Sequence, residues 1–181
     1  DQETAIKALR TAVVNAFHGE ILPKEAPQEA HERSNGEAEV SVQIIHGLSR
    51  TFKEHIEINA KIKLSAKHPV LAWIVEHAAT MHSLFSRGVP SDGMTPFQRL
   101  KGKVWRIPLP AIGEKVEFKM QPRHQFESRW RPGIFLGVKR TASEQVVGDE
   151  EGTYVVQSVQ RVSIDRRWDR DLHWKYEGCS S

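Results

Sequence analysis

Phosphodiester transfer by divalent metal ions needs several carboxylates converging on two cations, one activating the attacking oxygen and one stabilising the leaving oxygen. Magnesium favours hard oxygen ligands and keeps part of its water shell, so two or three carboxylates suffice. Asp1 and Glu39 are candidates for such a set, with 37 residues between them in which the chain can wrap back. Glu37, also just after Asn35-Gly36, competes with Glu39. A second chemistry lies downstream. Between Arg99 and Arg140 eleven basic residues face only Glu114, Glu117 and Glu127, and Trp105, Phe118, Phe126 and Trp130 are mixed in. Such a surplus of positive charge among aromatic rings suits a phosphate backbone, the plainer reading being a solvated basic surface.

The elements that must position these groups are helical first and extended later. Ile6, Leu9, Val13 and Phe17 predict a helix over 3–18 that Gly19 ends; 20–24 reads as a short strand stopped by Pro23, and 27–36 as a polar loop. A second helix is expected from Ser34–Gly36 to about Lys63. On it Glu39, Gln43, His46, Arg50, Lys53 and Glu57 fall within about 40° of one line, opposite Val42, Ile44, Ile45, Leu48, Phe52 and Ile56. Glu39 heads that polar stripe, whereas Glu37 lies about 200° away around the helix.

His68-Pro69 opens a third helix with Leu71, Ile74, Val75, Ala78, Met81 and Phe85 on its core face, ended by Gly88-Val89-Pro90. His77 and His82 on this helix are five apart, off the spacing of helical zinc pairs, and read as packing or surface residues. Thr95-Pro96-Phe97 starts a short helix with Thr95 as N-cap. Beyond Lys103 the pattern alternates: Val116, Phe118 and Met120, then the apolar run Gly133–Val138, then a turn at 148–152, then 154–156 and 159–164. Short strands at this spacing predict a small barrel, with Pro108 and Pro110 stiffening a linker over 103–112.

The whole chain agrees with a globular, charge-polarised protein. Of 181 residues 39% are apolar, and no apolar stretch approaches the roughly 20 residues that span a bilayer, so no membrane helix is expected. Residues 1–90 carry ten Lys/Arg against eleven Asp/Glu, and residues 91–181 sixteen against twelve, which places the net +3 in the second half. Cys179 is the single cysteine, excluding a disulfide or a cysteine zinc site within one chain and fitting a reducing compartment. Asp1-Gln2-Glu3 shows neither an initiator methionine nor a secretory pattern, the expectation being a processed chain or a fragment.

Asp1 followed by a helix, a short strand, a polar loop and Ser34-Asn35-Gly36-Glu37-Ala38-Glu39 opening a long helix resembles the retroviral-type integrase catalytic core, particularly that of copia-type LTR retrotransposons. Thr95-Pro96-Phe97-Gln98-Arg99-Leu100-Lys101-Gly102 is similar to the Thr-Pro-aromatic segment after that core, and Trp130–Val138 to the Gly-Ile-Phe-Leu-Gly strand of the family's C-terminal β-domain. The resemblance covers nearly the whole chain, with its motifs in the family's order.

The resemblance implies an α/β then β architecture: the end of an RNase H-like core over 1–102, mostly helices with its first strands missing, a linker over 103–112, a small SH3-like β-barrel over 113–166 and a tail over 167–181. It implies that Asp1 and Glu39 are the second and third carboxylates of an Asp-Asp-Glu triad, the family's Gly-x-x-Glu spacing selecting Glu39, and that Mg2+ or Mn2+ is the cofactor of the complete enzyme. The first aspartate and a His/Cys zinc module are expected upstream, so this chain alone is expected to be inactive. DNA is the implied partner, with Gln43, His46, Arg50 and Lys53 on the helix and Lys119, Arg123, Arg129, Arg131, Lys139 and Arg140 in the β-portion as candidate contacts. Trp130 is a candidate for stacking on a base. A homo-oligomer in the full-length protein and a nuclear site of action, with a cytoplasmic particle stage for the parent element, follow from the same resemblance. The alternative is a non-catalytic DNA- or chromatin-binding module derived from a retroelement.

Overall fold

A computed structural model of the chain describes residues 36–87, 93–121, 125–126, 128–139 and 144–175. The expected helix over 3–18, the strand over 20–24 and the loop before Gly36 lie outside the described residues. The chain divides into two compact units, Asp1–Val42 and Gln43–Ser181. In the first, the described residues are the opening turns of helix α1 (Gly36–Ala60). The remaining elements belong to the second: α2 (Val70–Phe85), α3 (Pro96–Lys101), β1 (Lys115–Lys119), β2 (Trp130–Val138), β3 (Gln145–Asp149), β4 (Gly152–Val156), β5 (Val159–Arg161), a 3-10 turn over Ile164–Arg166, and α4 (Arg170–Lys175). Helices thus precede a five-stranded antiparallel open sheet of order β4-β3-β2-β1-β5. No helix among the described residues is long and apolar enough to cross a membrane.

α1 appears where its periodicity puts it, but the expected core face is buried only toward its C-terminal end. Ile56 and Ala60 are buried, Phe52 is partly so, and Val42 and Ile44 are exposed. The helix stops at Lys61, a non-glycine residue at φ 54°, a left-handed conformation that costs an L-residue roughly 1–2 kcal/mol. Glu57 offsets this strain. Its buried carboxylate accepts the Leu64 amide at 2.8 Å, Lys53 Nζ at 2.6 Å and Lys63 Nζ at 3.2 Å, fastening the turn that follows.

α2 starts at Val70, whose amide donates to His68 Nδ1 at 3.2 Å. Its buried face holds Val70, Ile74, His77, Ala78, Thr80 and Leu84. The expected face was therefore rotated: Val75 and Phe85 are half exposed, and His77 is buried. α3 carries the expected Thr95 cap and adds a reciprocal bond, with the Gln98 amide donating to Thr95 Oγ1 and the Thr95 amide to Gln98 Oε1.

Two apolar clusters fix the sheet. In one, Ile56, Leu64, Val70 and Ile74 meet Ile112, Ile134, Leu136 and Val146; in the other, Leu84, Phe97 and Trp105 meet Val116, Phe118, Phe135 and Val147. Successive residues of β2, Ile134 and Phe135, go to different clusters, as do Val146 and Val147 of β3, because strand side chains alternate between faces. The uninterrupted apolar run of β2 is thus that of a strand covered on both faces.

Three expectations in the β-portion change. Gln145–Asp149 is a strand, and the turn expected over 148–152 shrinks to the two residues between β3 and β4. Asp149 makes it tight, Oδ1 accepting the Glu151 and Gly152 amides at 2.8 and 3.2 Å. β5 ends at Arg161, and Ile164 opens a 3-10 turn. The segment expected as a tail contains α4, which Asp169 caps while pairing with Lys115 of β1 at 2.6 Å, and Trp168 and Leu172 pack on the first cluster. Residues 103–112 lie inside the second unit and supply Trp105 and Ile112 to its cores.

Candidate nucleic-acid interface

Glu39 is exposed on the first turns of α1 and makes no hydrogen bond or ion pair with a described residue. Asp1, its expected partner, lies outside the described residues, as do Arg123 and Arg140. Among the described residues no group of three or more His, Cys, Asp or Glu is placed to hold a metal ion. Glu39 by itself supplies a carboxylate of the hard-oxygen type that Mg2+ or Mn2+ favours, which fits one ligand position of the expected set.

Along the polar stripe of α1, Gln43, His46 and Arg50 are exposed. Lys53, the next candidate, donates to Glu57 and is only partly accessible. Glu57 is not a surface group: hydrogen bonds from Lys53, the largest cause, the Leu64 amide and Lys63 hold its carboxyl well below the usual range, at about 2, against the opposing effect of burial. The stripe is open at its start and closed on itself at its end.

The β-portion sorts its candidates by strand register. Lys119 stands directly opposite Trp130, and the Met120 amide donates to the Arg129 carbonyl at 2.9 Å, so Lys119, Arg129 and Trp130 gather at one end of the β1–β2 pair. Lys119 and Arg129 are exposed there and Trp130 is half-buried. Lys139 follows the opposite end of β2, about 30 Å away at the rise of an extended strand. Arg131 is engaged internally, with Nη2 3.1 Å from Asp149 and Nη1 3.0 Å from Glu151; the Glu151 hydrogen bond chiefly raises its pKa further. A similar lock holds β5. Arg161 donates to both oxygens of the fully buried Glu114, at 2.8 and 2.7 Å, and Arg167 lies 3.4 Å from the same carboxylate.

A cleft of about 600 Å³ also opens between α1, α2 and residues 105–112. Its walls include Phe52, Met81, Phe85, Trp105 and Leu109, and its ionisable members are His55, His77 and Arg106. Nothing in the spacing of these residues announced the cleft, although Trp105-Arg106 lies in the basic and aromatic stretch. His77 forms part of its wall, edge-on to Phe52 at 5.2 Å and to Phe135 at 6.0 Å. Burial lowers its pKa to about 4, so the ring is neutral at neutral pH. Compared with known proteins, the chain matches no family model, no curated protein and no solved structure.

Proposed function

We propose that the chain is the later part of a retroviral-type integrase of the copia retrotransposon class, acting on DNA in integration by metal-dependent phosphodiester cleavage and strand transfer. The observation that carries this reading is the order of its motifs: Gly36 and Glu39 open a 25-residue helix, a capped Thr95-Pro96-Phe97 helix follows, and Gly133–Val138 lies in the central strand of a sheet. In this reading the helices are the end of an RNase H-like core. The sheet is an SH3-like barrel, supported by a meander whose last strand, β5, returns beside the first. Glu39 and Asp1 hold Mg2+ or Mn2+, the ion supplying charge stabilisation at the phosphate. Exposed Gln43, His46 and Arg50, and the Lys119–Arg129 end of the sheet, bind the DNA backbone. Assembly as a homo-oligomer on DNA ends and action in the nucleus belong to the same proposal.

No residue of this sequence matches the triad's first aspartate, so the activity is proposed for a chain that supplies it. Strand transfer by such a longer chain, in Mg2+, is the test. Glu39→Gln is expected to abolish joining while leaving DNA binding intact, since only the charge on one ligand is removed. Undiminished joining by that variant overturns the catalytic assignment. A longer chain that binds DNA without joining it, with or without Glu39, is instead a non-catalytic DNA- or chromatin-binding module.

A further inference from the structure

The cleft beside Trp105 is electrically one-sided. No Asp or Glu lines it, and Arg106 is exposed without an ion pair to a described residue, unlike Arg131 and Arg161. The volume of about 600 Å³ is in the range of sites that enclose small organic groups. Its aromatic members differ in availability. Trp105 is buried and its indole N–H already donates to the Ile107 carbonyl at 2.8 Å, so it forms a fixed wall. Phe85 is 54% exposed and its ring is free to stack. The neutral ring of His77 adds no charge to the wall, which leaves Arg106 as the permanent cation.

An occupant matching these features has a flat apolar body and an attached anion. We propose that the cleft receives an unpaired nucleobase stacked on Phe85, with the Arg106 guanidinium on the adjoining phosphate, so that the chain prefers single-stranded to duplex nucleic acid. The inference rests on the nucleic-acid reading above and adds strand state to it. A base within a duplex is covered by its neighbours and cannot enter, whereas an unpaired base offers its face. Continuity with the basic stretch favours a nucleotide over other aromatic anions. Exposed Lys101 and Lys103 precede Trp105-Arg106 in the chain and are available to the next phosphates.

The test uses the 181-residue chain, a short single-stranded oligonucleotide carrying one 2-aminopurine, and the corresponding duplex. At one salt concentration the single strand is expected to bind more tightly, with a change in 2-aminopurine fluorescence. Phe85→Ala is expected to weaken it by roughly fivefold or more, the cost of losing one base stack. Arg106→Ala weakens it in the same direction, and Phe85→Ala leaves duplex affinity unchanged; Lys119→Ala weakens both ligands. Phe85 and Arg106 are exposed, so these replacements spare the core. If both variants bind the single strand like the parent while duplex binding persists and weakens with salt, the cleft inference falls and the DNA-binding reading stands. If neither nucleic acid binds, both fall. If the cleft takes anilinonaphthalene sulfonate but no oligonucleotide, it is a small-anion site and the inference is overturned.

Discussion

His77 shows how a single side chain ties fold to pH. Packed between Phe52 and Phe135, it is 4% exposed, and burial lowers its pKa from 6.5 to about 4. Between those values the unfolded chain binds a proton that the folded chain refuses, so stability falls as pH drops through this window and is fully present above it. The shift corresponds to a loss on the order of 3 kcal/mol from neutral pH to pH 4. Chemical denaturation across that range is expected to show the decline, and His77→Phe to flatten it; identical slopes would remove His77 as the cause. Glu57 titrates lower. Its folded pKa is depressed from 4.5 to about 2, so its contribution is present above 4.5 and lost as pH falls toward 2.

Strand β2 is the element on which the sheet depends, and Gly133 is its tightest point. A Cβ there would lie 2.5 Å from Val147 Cγ1 and 2.9 Å from both the Gly148 carbonyl oxygen and Phe118 Cε1. Strands β1, β2 and β3 meet at that point with no room for a methyl group. Gly133→Ala is expected to destabilise the protein by about 1–3 kcal/mol, the usual result of overpacking, measurable as a lower denaturation midpoint with an unchanged slope. An alanine variant of parental stability would mean that the strands separate freely there. Helix α1 presents the opposite case. Its C-terminal turns are fixed by Ile56 and Glu57, whereas Val40, Val42 and Ile44 before them are exposed.

The molecule from Gln43 onward is held by cores that helices and sheet build together. Ile134 and Leu136 are covered by Ile56, Leu64, Val70 and Ile74, and Phe135 and Val147 by Leu84, Phe97 and Trp105. A fragment of 113–166 retains all five strands but loses Ile56, Leu64, Val70 and Ile74 from one cluster and Leu84, Phe97 and Trp105 from the other. It is therefore expected to lack a cooperative thermal transition, while a fragment of 43–175 melts as one unit. A sharp, reversible melt of the shorter fragment would show that the strands suffice. The ion pairs crossing from the C-terminal segment, Lys115–Asp169 and Glu114–Arg167, reinforce the longer unit.

Much of this architecture was legible in order along the chain because it depends on neighbours. Apolar periodicity located α1 and α2, Thr95-Pro96 located α3, and the runs at Val116–Phe118 and Gly133–Val138 located β1 and β2. Local signals failed where the deciding partner is distant. Periodicity alone placed Val75 and Phe85 inside and could not know that His77 meets Phe135 across the sheet. Among the candidate contacts, sequence supplied basic residues. Lys53 is held by Glu57 one helical turn away, a local pair. Only tertiary pairing distinguished Lys119 and Arg129, which are exposed, from Arg131, which Asp149 and Glu151 hold. The cleft around Arg106 belongs wholly to the second kind of information. Its walls come from three segments far apart in the chain, and only packing sets the distance between them.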